Sequence, residues 1–308
     1  MAPLTNNVHN TALVFEGGGY RAAYTAAFAN ALLAEGIYFD FVCGISAGSS
    51  HAVDYLSRDK RRVRNAFMGF EGSAKPAAGV GSILHGTRYF NADYLYEGCV
   101  EDGSLPFDWD TFQANPARVA VSAFERDTGR TRVFTREDMS TWQDLMACVR
   151  ASSSLPVLMK PQPIDGVTYL DGGLGEGAGI PLFMAERAGY TRFLLVATRP
   201  AGYRKEPPSK GEKDATLRFG SEHPHVREAL LSRSERYNAE LDRIAQMERE
   251  GRCLVIRPDM MPVKSTTLDP VALRTAYALG EAQARRDMPR YKEFLFGDPN
   301  WKAPQDER

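Results

Sequence analysis

Two short apolar runs, residues 11–15 (TALVF) and 39–45 (FDFVCGI), each end in a glycine-bearing turn that passes straight into a helix-forming stretch. Nothing else in the chain narrows its fold as much. Neither run alternates polar with apolar residues, so each predicts a strand covered on both faces. The Ala-rich stretch between them, residues 22–34, predicts a helix closed by Gly36. A second helix follows from about residue 49 to residue 57. The order strand–loop–helix–strand–turn–helix makes the strands parallel and covers both faces of the sheet with helices. The predicted class is therefore α/β, in three layers around a mostly parallel sheet.

The rest of the chain extends that pattern. Residues 118–124 (RVAVSAF) and 131–134 predict strands around the turn Asp127-Thr128-Gly129. A helix over 142–151 stops before Pro156, residues 168–170 lead as a strand into Asp171, and a helix starts at Pro181, where a first-turn proline costs no hydrogen bond. Residues 192–197 (RFLLVA) predict another buried strand. Residues 203–215 (YRKEPPSKGEKDA), with two prolines and many charges, predict a surface loop or linker. Beyond it come a long amphipathic helix over 226–250, a strand over 253–257 that can add to the sheet edge, and a last helix over 270–294. The expected division is an α/β core over 1–200 and a mainly helical C-terminal extension over 201–308, packed on the core.

Charge and composition exclude several functions. Lys plus Arg number 38 against 39 Asp plus Glu, so no global basic field is available to hold nucleic acid, and no nucleic-acid partner is expected. No apolar run approaches the roughly 18 residues that span a bilayer. The opening MAPLTNNVHN lacks a basic stretch followed by a greasy one, so no secretory signal is expected. The four cysteines form no C-x-x-C pair and read as reduced, buried small hydrophobes, which points to a cytoplasmic compartment.

Three segments can carry chemistry. Gly44-Ile45-Ser46-Ala47-Gly48 has the form G-x-S-x-G between a strand and a helix, the context in which such a serine is a nucleophile presented at a helix N-terminus. Gly17-Gly18-Gly19-Tyr20-Arg21 also joins a strand to a helix, and its bare backbone N–H groups can hold an oxyanion. Arg21 places a cation where the helix dipole disfavours it, which suggests loop bracing or anion balance as much as a surface salt bridge. Tyr169-Leu170-Asp171-Gly172-Gly173 is a nonspecific turn on its own. Following a strand, however, Asp171 can reach the same sheet edge as Ser46 and serve as its base.

Other readings compete. The loop also spells G-x-G-x-x-A from Gly17 through Gly19 to Ala22, a dinucleotide pattern. The following strand ends in Ile45-Ser46-Ala47 without the acid that holds a ribose, and Asp40 lies at its wrong end. A histidine base would have to be His9, His51, His85, His223 or His225, none of which follows an acid-bearing strand in the order of a Ser-Asp-His hydrolase. Residues 89–96 (YFNADYLY), with Phe107 and Trp109, are aromatic enough to line an acyl pocket or form a lid, although core packing explains each ring as well. The run Arg58, Lys60, Arg61, Arg62 and Arg64 reads as a solvated helix face that can also meet anionic headgroups.

Taken together, these segments resemble the patatin-like phospholipase family. The resemblance rests on G-G-G-x-R at Gly17 to Arg21, G-x-S-x-G at Gly44 to Gly48, and D-G-G at Asp171 to Gly173, which begins 125 residues after Ser46. The stretch Arg150-Ala151-Ser152-Ser153-Ser154-Leu155-Pro156 is similar to the family's helix end before its last core strands, and the match covers about residues 11–200. One departure is Ala22, where the family usually has glycine. The resemblance implies a three-layer patatin-like fold and a serine hydrolase acting on lipid acyl esters. It implies Ser46 as nucleophile, Asp171 as general base and an oxyanion loop at Gly17, Gly18, Gly19, Tyr20 and Arg21, with Gly44, Gly48, Gly172 and Gly173 as motif support. No metal or organic cofactor is implied, the partner is a lipid or acyl-ester substrate, and peripheral contact with a membrane surface is expected. A catalytically weak binding or regulatory protein on the same fold, a nucleotide-dependent oxidoreductase using the Gly17 loop, and a Ser-His-Asp esterase stay open at this point.

Overall fold

The computed structural model describes residues 4–68, 78–79, 82, 88–219 and 221–303. Its centre is one eight-stranded sheet with strands β1 (Ala12–Phe15), β2 (Phe41–Gly44), β3 (Arg118–Glu125), β4 (Thr131–Thr135), β5 (Gln162–Ile164), β6 (Val167–Asp171), β7 (Phe193–Val196) and β8 (Cys253–Ile256). The order is β5-β6-β3-β2-β1-β7-β8, with β4 paired to β3. The β3-β2-β1-β7-β8 stretch is parallel throughout, while β4 and β6 run antiparallel to β3. Both faces are apolar, as unalternating strands require. Leu13 and Phe15 join the core under α1 (Ala22–Ala34), α2 (Ala47–Leu56) and the Trp142–Ser153 helix. Ala12 and Val14 face the other core, under the Leu182–Arg187 and Pro224–Arg249 helices. These are the three layers expected from the sequence.

The chain beyond residue 200 is built into this frame. β8 pairs in parallel with β7, so the sheet's last strand comes from the C-terminal stretch. The Pro270–Phe296 helix lies along α1, where a Cβ on Gly280 would collide with the Tyr24 carbonyl, so the two helix backbones touch. The Tyr24 hydroxyl donates to Gln283 Oε1 across the same seam at 2.6 Å.

Two local expectations need correction. Residues 203–215 do not form a plain loop: a helix runs over Lys210–Phe219, past the prolines at 207 and 208 that suggested a linker. A proline costs a hydrogen bond inside a helix but is tolerated just before one. The basic run 58–64 is not uniformly solvated either. Arg62 is buried; its Nε donates to Asp54 Oδ1 at 2.7 Å and its Nη1 to the carbonyls of Leu105 and Pro106. Burial raises the Asp54 carboxyl above its ordinary range, and Arg62 is the main influence opposing that rise. Arg62→Met should therefore strand an acid in the core and cost about 3–5 kcal/mol, read as a lowered urea midpoint with an unchanged slope.

The four cysteines are free and buried, as expected. Burial pushes the thiols of Cys148 and Cys253 up to about 12. Among the described residues no helix is long and apolar enough to cross a membrane.

Candidate active site

Strand register explains how Ser46 and Asp171, far apart in sequence, come together. β4 occupies one edge of β3 along residues 120–124. Both β2, opposite residues 118–121, and β6, opposite residues 123–125, must then share the other edge. Gly44 pairs with Val121 and Asp171 with Ala123, so β2 ends where β6 ends. The turn leaving β2 and the last residue of β6 occupy the same rim.

That turn is strained. Ser46 has φ 56° and ψ −128°, a conformation that non-glycine residues rarely adopt and that projects the hydroxyl from the start of α2. The sharpness of the turn accounts for the two motif glycines. A Cβ on Gly44 would fall on the Gly48 carbonyl, and one on Gly48 on the Phe15 carbonyl. Ser152 Oγ accepts the Ser46 N–H at 2.9 Å, and the Ser154 carbonyl accepts the Asp171 N–H at 2.9 Å. The end of the Trp142–Ser153 helix thus ties both residues in place. Sequence reasoning noticed the Ser152-Ser153-Ser154 run only as a helix end.

Asp171 is 2% exposed and Ser46 9%. Oδ1 of Asp171 accepts the Gly173 N–H at 2.7 Å, while its buried Oδ2 has no hydrogen-bond partner among the described residues. Burial raises the Asp171 carboxyl above the ordinary carboxylate range; the Arg233 guanidinium, the nearby Ser46 hydroxyl and the Gly173 N–H pull the other way. The Ser46 hydroxyl is near enough to favour the carboxylate form, although no formed hydrogen bond joins the two side chains among the described residues.

The glycine loop lies against the serine: a Cβ on Gly17 would stand 3.2 Å from that of Ser46. The Gly17 N–H donates to the Gly179 carbonyl, Tyr20 N–H to Ser265 and Arg21 N–H to Gly18. Among the described residues, the N–H groups of Gly18 and Gly19 have no partner. The left-handed residue of the loop is Gly19, φ +53°, whereas Ala22 sits at φ −60°, so alanine there is unstrained. Arg21 makes no ion pair among the described residues. Burial lowers its guanidinium pKa, Arg199 adds to the effect, and Glu16 opposes it.

A cavity opens from Ser46 between α2 and the Trp142–Ser153 helix, walled by Val53, Phe67, Leu95, Met146, Val149 and Met159. Tyr20, Phe90 and Tyr96 line it too, from the loop and the aromatic segment. Tyr96 stands on a π-helical turn, Asp93–Gly98, pinned by Arg150 to Asp93 and Glu97. Phe107 and Trp109 lie elsewhere, packed on Phe112 at 5.8 and 5.6 Å between ring centres, so core packing claims them and not the cavity.

Among the described residues, no histidine makes a hydrogen bond, ion pair or ring contact with Ser46; they lie on other elements or further along α2. His51 is fully buried, its Nε2 3.0 Å from Thr25 Oγ1 and its ring against Phe15 and Phe67; burial lowers it to about 3. His9 pairs with Asp40 at 2.6 Å. His223 and His225 flank the start of the Pro224–Arg249 helix, and His85 lies outside the described residues.

A family model described as patatin-like phospholipase matches residues 13–184. The chain belongs to the patatin-like phospholipase family. A second model, a domain of unknown function (DUF6363), matches residues 223–296, which carry β8 and the last two helices of this patatin-like protein. No curated protein matches the chain at a significant level. Among solved structures, VipD from Legionella pneumophila matches 90% of the chain at 13% identity with a TM-score of 0.44, and the patatin-like chain spans 66% of the length of that one.

Proposed function

We propose that the protein is a serine hydrolase that cleaves acyl esters of lipids through a Ser46–Asp171 dyad. The observation that carries this reading is the buried, unpartnered Asp171 oxygen beside a serine held in a strained turn. Ser46 Oγ attacks the ester carbonyl carbon while Asp171 takes its proton. The negative charge on the carbonyl oxygen meets the free N–H groups of Gly18 and Gly19 and the first turn of α2. Collapse of the tetrahedral species expels the alkoxide, which takes the proton back from Asp171 and leaves Ser46 acylated. Water then attacks the acyl carbonyl with Asp171 again as base, and collapse expels Ser46 Oγ, which takes that proton back from Asp171 as the fatty acid leaves. The apolar walls of the cavity fit an acyl chain.

An ordinary aspartate is a poor base at neutral pH because it ionises near 4. Burial of Asp171 improves the match. The base must be ionised, so activity is expected to fall as pH drops through a limb above the usual carboxylate value. In the folded state this carboxyl holds its proton to higher pH than in the unfolded chain. Stability is therefore lost as pH rises through the folded pKa. Asp171→Asn is expected to abolish hydrolysis of a p-nitrophenyl ester and, above that limb, to melt at a higher temperature than the parent. Full activity in this variant would remove the dyad. Failure of a fluorophosphonate probe to label Ser46 would favour a binding or regulatory protein on the same fold.

A further inference from the structure

Residues 223–296 match a domain of unknown function, yet one of their side chains reaches the rim where Ser46 and Asp171 meet. Arg233 lies in the middle of the Pro224–Arg249 helix and lines a cavity together with Asp171, Gly173 and Leu155. A Cβ on Gly173 would stand 2.7 Å from Arg233 Nη2 and 2.9 Å from Asp171 Oδ1. The cation and the carboxylate therefore face each other across the bare glycine, and any side chain there would push them apart. This gives the second glycine of the D-G-G turn a task beyond turning.

Arg233 is not explained as a structural brace. Its neighbour one turn on, Arg236, fills that role: its guanidinium donates to the carbonyls of Leu174, Gly175 and Ala229. Arg233 makes one long bond, Nε to the Ala178 carbonyl at 3.3 Å, and no ion pair within 4 Å among the described residues. That bond leaves its terminal nitrogens at the Asp171 side of the helix. A cation held near a buried carboxylate acts strongly on it.

We propose that Arg233 is a positioning residue for Asp171, its guanidinium fixing the negative carboxylate opposite the Ser46 hydroxyl across the gap at Gly173. The C-terminal helical region is then part of the active site and not an appendage. The inference rests on the dyad reading above. The groups facing Asp171 are the Ser46 hydroxyl, the Gly173 N–H, Arg233 and the Tyr96 phenol, whose own ionisation burial and then Asp171 disfavour. Around Arg233 lie two further cations. Lys205 is lowered to about 8 by burial, then Arg233 and Arg199; Arg236 is lowered by burial, then Arg233. Lys205 titrates on the alkaline side, so the acid limb isolates Asp171.

The test is the pH profile of kcat/KM for a water-soluble p-nitrophenyl ester, in parallel with the pH dependence of Ser46 labelling by a fluorophosphonate, for the parent, Arg233→Gln and Arg233→Lys. In Arg233→Gln the acid limb of both profiles should move up by about one pH unit, a roughly tenfold loss of rate below it. Arg233→Lys should restore most of that shift. Arg233→Met carries the same expectation where the glutamine variant does not fold. An acid limb left in place in the neutral variants overturns the inference, whether the plateau is unchanged or uniformly lowered. Absence of Ser46 labelling in the parent overturns the hydrolase reading instead, and this inference with it.

Discussion

Ser46→Ala is expected to abolish ester hydrolysis, with a loss on the order of 10⁴-fold or more in kcat and no labelling by a fluorophosphonate. The reason is chemical and conformational together. The hydroxyl is the sole atom lost, and the backbone at φ 56° already accommodates a Cβ. The N–H of residue 46 keeps its bond to Ser152 Oγ, and the glycine loop keeps its bonds to Gly179 and Ser265. The variant should therefore melt within about 0.5 kcal/mol of the parent, as expected of a substitution that leaves packing intact. Intact folding with lost turnover separates a nucleophile from a merely structural serine. Retained turnover would show that a different group attacks the ester.

Gly44→Ala is expected to have the opposite signature: loss of the fold with all reactive groups present. Its new Cβ would overlap the carbonyl of Gly48, and beyond it the Ser49 N–H at 2.7 Å. These are backbone atoms at the start of α2, which cannot rotate away as a side chain can. Relief requires the strand end and the helix start to separate, which breaks the packing of Ile45, fully buried between them. A penalty of more than about 4 kcal/mol follows, enough to deplete the soluble protein. The control is Gly211→Ala. That glycine lies in the Lys210–Phe219 helix with nothing near its missing Cβ, and alanine there should stabilise by about 0.5–1 kcal/mol. Urea titrations of the two variants, side by side, measure the difference between a glycine required by close approach and one that is not.

Much of this was readable from the chain, for definite reasons. Unalternating runs such as ALVF and FVCG announce strands buried on both faces, and the turns after them announce parallel connection to helices. Asp171 was found because it ends a strand-like segment, and it is indeed the last residue of β6. Placing it beside Ser46 requires more than local pattern, because the shared edge of β3 is a matter of register. Arg62 reads as one cation in a solvated row, since nothing local reveals that Asp54 faces it from the preceding, packed helix α2. The Lys210–Phe219 helix was hidden by two prolines and a charge-rich stretch whose apolar contribution is slight. Arg233 carried no signal at all: its partner is 62 residues upstream and its helix is amphipathic in the ordinary way.

The position of β8 has a consequence for how the molecule is made. During synthesis, every strand from β1 to β7 leaves the ribosome before residues 253–256 do. Until then β7 presents an unpaired edge, and until residues 270–296 follow α1 keeps an uncovered flank, both greasy surfaces prone to sticking to other chains. The nascent protein thus carries an almost finished sheet whose final seal is delivered late. Chaperone demand should concentrate in that interval, and a polypeptide halted before residue 253 should aggregate and not persist as a smaller folded unit.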